Sequence, residues 1–193
     1  MADLNKDAVR VANDGRVFWA PVDSEAELPT TWEANADWGA EWASLGLFNE
    51  DGVEHSLEDD TEDLLTWQRG AVRVTTTNRE LTLTLVAMES SVRVLEMFYD
   101  TTITSTGTSA SIVIPHATPR SQYKFGFEWY DKLGDSTWRL YIPVGSVGEV
   151  ESPTFNKQGA VTWGMTIRAM TSDEDYLARW DTNDPQVLAQ LGS

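Results

Sequence analysis

The sequence predicts a mainly β protein, an antiparallel β-sandwich or barrel with one short flanking α-helix. Apolar and polar residues alternate with period 2 along most of the chain, and turn signals rich in Gly, Asn and Asp separate the alternating segments. These segments amount to roughly eight to ten strands, and one segment shows a helical apolar stripe instead. Apolar residues make up 41% of the 193 residues, enough for one sizeable core. We therefore expect a single domain over residues 1–193.

The N-terminal half is predicted as strands joined by turns. Asn13-Asp14-Gly15 has the composition of a hairpin turn, residues 49–52 form a second turn, and the acidic residues 58–63 are expected to be a connection. The strands of this half are predicted at residues 9–11, 17–19, 45–48, 52–57, 71–77 and 81–86. Residues 20–44 show no clear strand pattern and are predicted to be one long loop, which in a compact domain is usually functional or part of an interface.

The predicted helix covers residues 89–99. Val92, Leu95 and Tyr99 recur on one helical face, and Ser91 stands at the N-cap position. Alternation resumes in the second half, where strands are predicted at residues 111–115, 123–129, 137–142 and 161–170. The helix is therefore expected to lie against a sheet.

The charge is strongly and unevenly acidic. Fourteen Lys and Arg residues against 31 Asp and Glu residues give a net charge of −17. Residues 1–63 hold 17 acids and 3 bases, and the tail at residues 173–193 holds 5 acids and 1 base. Because nucleic-acid binding needs a basic face, this balance disfavours a DNA- or RNA-binding function.

The sequence has few residues that are typical of catalytic or metal-binding sites. The chain has no Cys and two His residues, His55 and His116, and it lacks the metalloprotease and phosphate-binding motifs. We therefore predict no enzyme, no cofactor and no metal site. No apolar run approaches the ~18 residues of a membrane span, and the first residues lack the basic and apolar parts of a signal peptide. The expected place of synthesis is a cytoplasm, without membrane contact.

The aromatic and basic composition is typical of a protein interface. The chain has 9 Trp and 10 Arg residues but only 4 Lys residues, and interfaces enrich Trp and Arg while they deplete Lys. Large rings in the acidic 20–44 loop must pack against the body or against another chain. The residues predicted to form a self-assembly interface are Trp32, Trp38, Trp42, Trp67 and Arg69.

Several short segments occur in a characteristic order between about residue 8 and residue 171. They lie at residues 45–53 (LGLFNEDGV), 60–63, 67–72 (WQRGAV), 94–99 (VLEMFY), 139–143 (RLYIP), 148–150 and 155–170. As an ordered set they resemble the phage major tail tube proteins of long, non-contractile tails. The acidic tail and the Trp-rich stretch at residues 32–42 match that family least well.

The resemblance implies a structural virion protein without catalytic residues. Relatives form hexameric rings that stack into a tube through which the genome passes. The implied partners are other copies of the chain, the tape-measure protein, the tail-tip and tail-terminator proteins, and DNA that passes the lumen without specific binding. An acidic lumen would repel phosphate, and Asp59, Asp60 and Glu62 are predicted to line it or to repel neighbouring copies.

Two other classes of function remain open. A carbohydrate-binding β-sandwich would present aromatic rings on one exposed face, whereas the Trp residues here are spread over at least five segments. A hydrolase on a β scaffold would need a catalytic constellation, and only paired carboxylates are available for one.

Overall fold

The computed structural model describes residues 5–68, 70–117, 119–133 and 135–191, with the backbone alone at residues 64–66 and 70–74. The strands are β1 (Asp14–Pro21), β2 (Ala43–Ser44), β3 (Phe48–Thr66), β4 (Gly70–Ala87), β5 (Thr104–Ser105), β6 (Ala110–Ser111), β7 (Tyr123–Asp131), β8 (Ser136–Val150), β9 (Trp163–Ala169) and β10 (Arg179–Thr182). The helices are α1 (Val92–Tyr99), α2 (Pro185–Leu191) and a 3-10 turn at Lys6–Ala8.

Eight of these strands form one antiparallel sheet, so the predicted fold class is confirmed. Its order is β2-β1-β7-β8-β9-β4-β3, with β10 beside β8, while β5 and β6 form a separate small hairpin. Within the described residues β2 and β3 do not pair with each other, so the sheet does not close into a barrel. Instead it folds over its own core, which brings His55 of β3 within 6.0 Å of Trp180 of β10, measured between ring centroids.

The main core lies between the folded halves of this sheet and under α1. Alternation on β4 sends Leu81, Leu83 and Leu85 inward, where they are almost completely buried. Side chains of β1, β7, β8 and β9 meet them there. The predicted helix is confirmed as α1, and the Ser91 hydroxyl caps it by accepting from the Val94 N–H. Its buried face is not the predicted one: α1 buries Val94, Met97 and Phe98, whereas Val92 is 54% exposed. The second helix, α2, was not predicted.

A second core lies on the other face of β1. Phe18 and Ala20 point away from the main core and are covered by the loop between β1 and β2, residues 22–42. Trp38 stacks on Phe18 with ring centroids 4.3 Å apart. A Cβ atom at Gly126 would lie 2.1 Å from the Trp38 ring, so glycine is required there for the ring to approach the sheet. The predicted long loop is thus confirmed, and it forms the cover of a core.

The hairpin of β3 and β4 extends beyond the body. β9 pairs with β4 only from Thr82 to Ala87, and in the described residues 58–80 the strand partners are all within the hairpin itself. We call residues 58–80 the arm. The ten residues from Leu57 to Thr66 are separated by nine steps, which reach about 30 Å at the usual strand rise. The predicted connection at residues 58–63 is therefore strand.

Several local predictions are wrong, among them the strand at residues 111–115, of which only Ser111 belongs to a strand. The expected turn at residues 49–52 is an irregularity inside β3, where Gly52 takes a φ of 72°. Residues 9–11 do not form the expected hairpin with residues 17–19, because β1 pairs with β7 and β2 instead.

Candidate assembly surface

The arm carries the three acids that were predicted to line a lumen or to repel neighbours. Asp59 lies opposite Arg79, whose guanidinium donates to both carboxylate oxygens at 2.6 Å. These hydrogen bonds hold the pKa of Asp59 below its ordinary value. The charge of Asp59 is therefore largely balanced within the chain.

Asp60 and Glu62 are exposed on β3 and differ from Asp59 in their partners. Their backbone partners are Asn78 and Thr75, and no ion pair within the described residues includes either carboxylate. Each leaves a full negative charge on the surface of the arm. Whether these acids face a lumen stays a prediction.

Trp67 stands in the turn at the tip of the arm, and its side chain is 99% exposed. A packed tryptophan buries about 150–250 Å² of surface, whereas in the isolated chain this apolar area remains exposed to water. One predicted interface residue is therefore exposed at the tip of the arm. Arg69, which was also predicted for the interface, lies outside the described residues.

Trp38 and Trp42 do not lie on a free surface, which corrects their assignment to an interface. They are 5% and 7% exposed and pack edge to face, with ring centroids 5.2 Å apart, in the second core. The Trp42 Nε1–H donates to the Glu27 carbonyl oxygen at 2.8 Å. Because both rings are already buried by the chain itself, they supply no contact area to a neighbour.

Trp32 is partly exposed and borders a buried charge network that was not predicted from the sequence. The Arg139 guanidinium lies 4.9 Å from its ring centroid, donates to the Pro29 carbonyl oxygen at 2.8 Å and is itself fully buried. Arg139 also pairs with Glu128 at 2.6 Å, and Arg16 pairs with the other oxygen of that carboxylate. The three charged residues lie in one cross-strand row of β1, β7 and β8. Because Arg16 and Arg139 also donate to carbonyl oxygens of the loop of residues 22–42, this row holds the loop against the sheet.

The two histidines lie in different parts of the fold. His55 packs against Trp180, and His116 is exposed in the segment before β7. Among the described residues, no group of three or more His, Asp or Glu side chains could hold a metal ion. In the same part of the chain, no helix is long and apolar enough to cross a membrane.

Comparison with known proteins identifies the family. Among solved structures the chain resembles one from the virion of a native gene transfer agent particle, with 7% identity, a TM-score of 0.40, and coverage of 68% of this chain and 86% of that chain. No curated protein matches the sequence. The sequence matches the family described as phage tail tube protein over residues 2–191. The chain therefore belongs to the phage tail tube protein family and has a structural role in the virion tail.

Proposed function

We propose that the chain assembles with itself into stacked hexameric rings that form the tail tube, the conduit for genome delivery. The observation that carries this proposal is the arm, which ends in the fully exposed Trp67. A two-stranded ribbon is marginal by itself and gains stability when a further surface covers it. A partner that buries the tip would supply that surface.

The strand edges of the arm support contact between copies. Among the described residues, β3 ends the sheet, so one edge of this 19-residue strand is unpaired, and β4 has no second neighbour along the arm. Exposed edges are templates for pairing with another chain, and charged side chains keep such pairing from being indiscriminate. Asp60 and Glu62 fill that role here. The unpaired strand edges of the arm thus favour association with another copy, and its acids limit non-specific pairing.

The acidic character also suits a conduit. A wall of negative charge repels phosphate, so DNA slides past it without specific binding. The excess of acids in residues 1–63 provides this charge if the arm or its neighbours face the lumen. The whole chain, residues 1–193, would then act as one tail-tube domain without catalysis or a cofactor.

The remaining partners follow from the same role. A tube of this kind encloses a tape-measure protein and ends on tail-tip and tail-terminator proteins. It is assembled in the cytoplasm of the bacterial host and needs no membrane contact. A carbohydrate-binding role gains no support, because Trp38, Trp42 and Trp163 are buried rather than displayed on a common face.

Sedimentation velocity over a concentration series tests this proposal. The wild-type chain is expected to form larger species as its concentration rises, and Trp67→Ala should raise the concentration required by tenfold or more. Leu133→Ala is the matched control, since Leu133 is also an exposed apolar residue, at 92%, but lies in the turn between β7 and β8. A wild-type chain that stays monomeric, also with tail-tip components present, would contradict the proposal.

A further inference from the structure

Three consecutive β-branched residues that follow β6 are open to solvent. Ile112, Val113 and Ile114 are 39%, 64% and 66% exposed, and none of them belongs to a described helix or strand. β-branched residues favour strands, and Pro115 disfavours a helical conformation at Ile114. A run of exposed apolar residues with this preference is a common site of association with another strand. The sequence therefore favours a strand that the isolated chain leaves unformed.

The backbone of this segment is also free to pair. No hydrogen bond among the described residues includes the N–H group of Ile112, Val113 or Ile114. The Val113 carbonyl oxygen accepts from the Thr101 hydroxyl at 2.7 Å, so it is turned toward the body of the chain. In a strand, neighbouring residues direct their N–H and C=O groups to opposite sides. A strand over residues 112–114 would therefore direct the groups of Ile112 and Ile114 away from Thr101.

Two strand edges of the arm lack a partner among the described residues. On the outer edge of β3, residues 58–63 include five acids, and charged side chains oppose edge pairing. On β4, residues 75–77 are three exposed threonines, which are uncharged and β-branched, and β9 pairs with β4 only at residues 82–87. The outer edges of β2 and β10 span at most four residues. The threonine edge of β4 is therefore the best match for an apolar strand.

The two segments lie toward opposite ends of β4. Ala87 pairs with Trp163, whose ring contacts Phe98 of α1, and Phe98 and Ile114 line one groove. Thr76 precedes Ala87 by eleven residues on β4, which is about 36 Å at the usual strand rise. Pairing between the segments therefore joins two copies, and because it uses two different surfaces it repeats head to tail.

On this basis, and resting on the proposed self-assembly, we propose that residues 112–114 of one copy form a strand with residues 75–77 of β4 in the arm of another copy. β6 then extends from Ala110 to Ile114, and Pro115, which has no N–H group, ends the pairing. Main-chain hydrogen bonds hold the two copies together. The contact adds a third strand to the two-stranded arm, which is marginal by itself.

Disulfide trapping tests this pairing, and the absence of Cys from the sequence removes any background. A chain with Ile112→Cys is mixed with a chain carrying Thr75→Cys, Thr76→Cys or Thr77→Cys, and the mixture is assembled, oxidised and analysed by mass spectrometry. A disulfide needs Cα atoms within about 7 Å, so we expect a crosslink between the two different chains for at least one threonine position. Leu133→Cys in place of Ile112→Cys is the control, because Leu133 is 92% exposed but lies between β7 and β8, and it should give no crosslink.

Two proline substitutions separate the outward N–H groups from the inward one. Ile112→Pro removes an N–H group that faces the other copy and should raise the concentration needed for assembly by about tenfold or more. Val113→Pro removes an N–H group on the opposite side and should change that concentration by less than about threefold. Sedimentation velocity measures both.

The outcomes distinguish this pairing from the proposed function. Assembly without a crosslink at any of the three threonine positions, or an equal effect of the two prolines, would overturn the pairing and leave the proposed function intact. Absence of any assembly of the wild-type chain would overturn the proposed function and the pairing with it.

Discussion

Replacing Trp38 with alanine removes the ring at the centre of the second core. That ring stacks on Phe18 at 4.3 Å, packs edge to face on Trp42 at 5.2 Å and lies directly over Gly126. The loop of residues 22–42 holds the ring from the solvent side. The change therefore opens a cavity that the neighbouring rings fill only in part.

The expected cost follows from this burial. Truncating a buried Trp to Ala typically costs about 3–5 kcal/mol, a large share of the roughly 5–15 kcal/mol that stabilises a typical domain. For a chain of this length, each kcal/mol lowers Tm by about 2–4 °C. Trp38→Ala should therefore lower Tm by about 6–20 °C. The Nε1–H of Trp38 has no hydrogen-bond partner among the described residues, so its loss leaves no acceptor unsatisfied.

Thermal unfolding of the unassembled chain, followed by near-ultraviolet circular dichroism, measures this effect. Trp67→Ala is the matched control, because its side chain is 99% exposed and its loss should change the free energy of unfolding by no more than about 0.5 kcal/mol. A Trp38→Ala chain that melts within 2 °C of wild type but fails to assemble would refute the assignment of Trp38 to the core. It would restore Trp38 to the interface.

Arg139→Ala breaks a fully buried ion pair and should cost about 3–5 kcal/mol in urea unfolding; a loss below about 1 kcal/mol would contradict this. The pKa of Asp184 lies below its ordinary value, chiefly because the Arg10 guanidinium donates to it. Its stabilisation is therefore complete above about pH 4 and is lost as the pH falls through the folded-state value. Asp184→Asn should flatten that acid dependence of urea unfolding, and an unchanged pH profile would exclude this role. Asp60→Asn combined with Glu62→Gln should ease assembly at 0.1 M salt, where charges act over about 10 Å, and less at 1 M, where they act over about 3 Å. Light scattering would show this, and a salt dependence identical to wild type would place both acids far from any neighbour.

Local periodicity predicted much of the fold. The alternation of Leu81, Leu83 and Leu85 is set by the two faces of β4, and the capped apolar stripe of α1 is likewise a property of adjacent residues. The strands at residues 123–129 and 137–142 were also predicted, and they are β7 and β8, which pair with each other. These features depend on residues close together in the chain.

Features that depend on distant partners were not predictable in this way. Residues 49–52 have the composition of a turn, but pairing with β4 makes them an irregularity inside a long strand. Trp38 and Trp42 occupy a segment without a strand pattern. Their rings are buried because Gly126 has no side chain to block the Trp38 ring and because Phe18, on the face of β1 away from the main core, packs with them. The exposed position of Trp67 follows from the length of the arm. That length was not predicted, because residues 58–63 were expected to be a connection rather than part of β3.

The most direct measurement is electron microscopy of the purified chain at high concentration, with tail-tip components added as initiators. We expect hollow tubes built from stacked rings of six copies, with density for each arm reaching a neighbouring copy. Particles that remain single copies under all these conditions would contradict it.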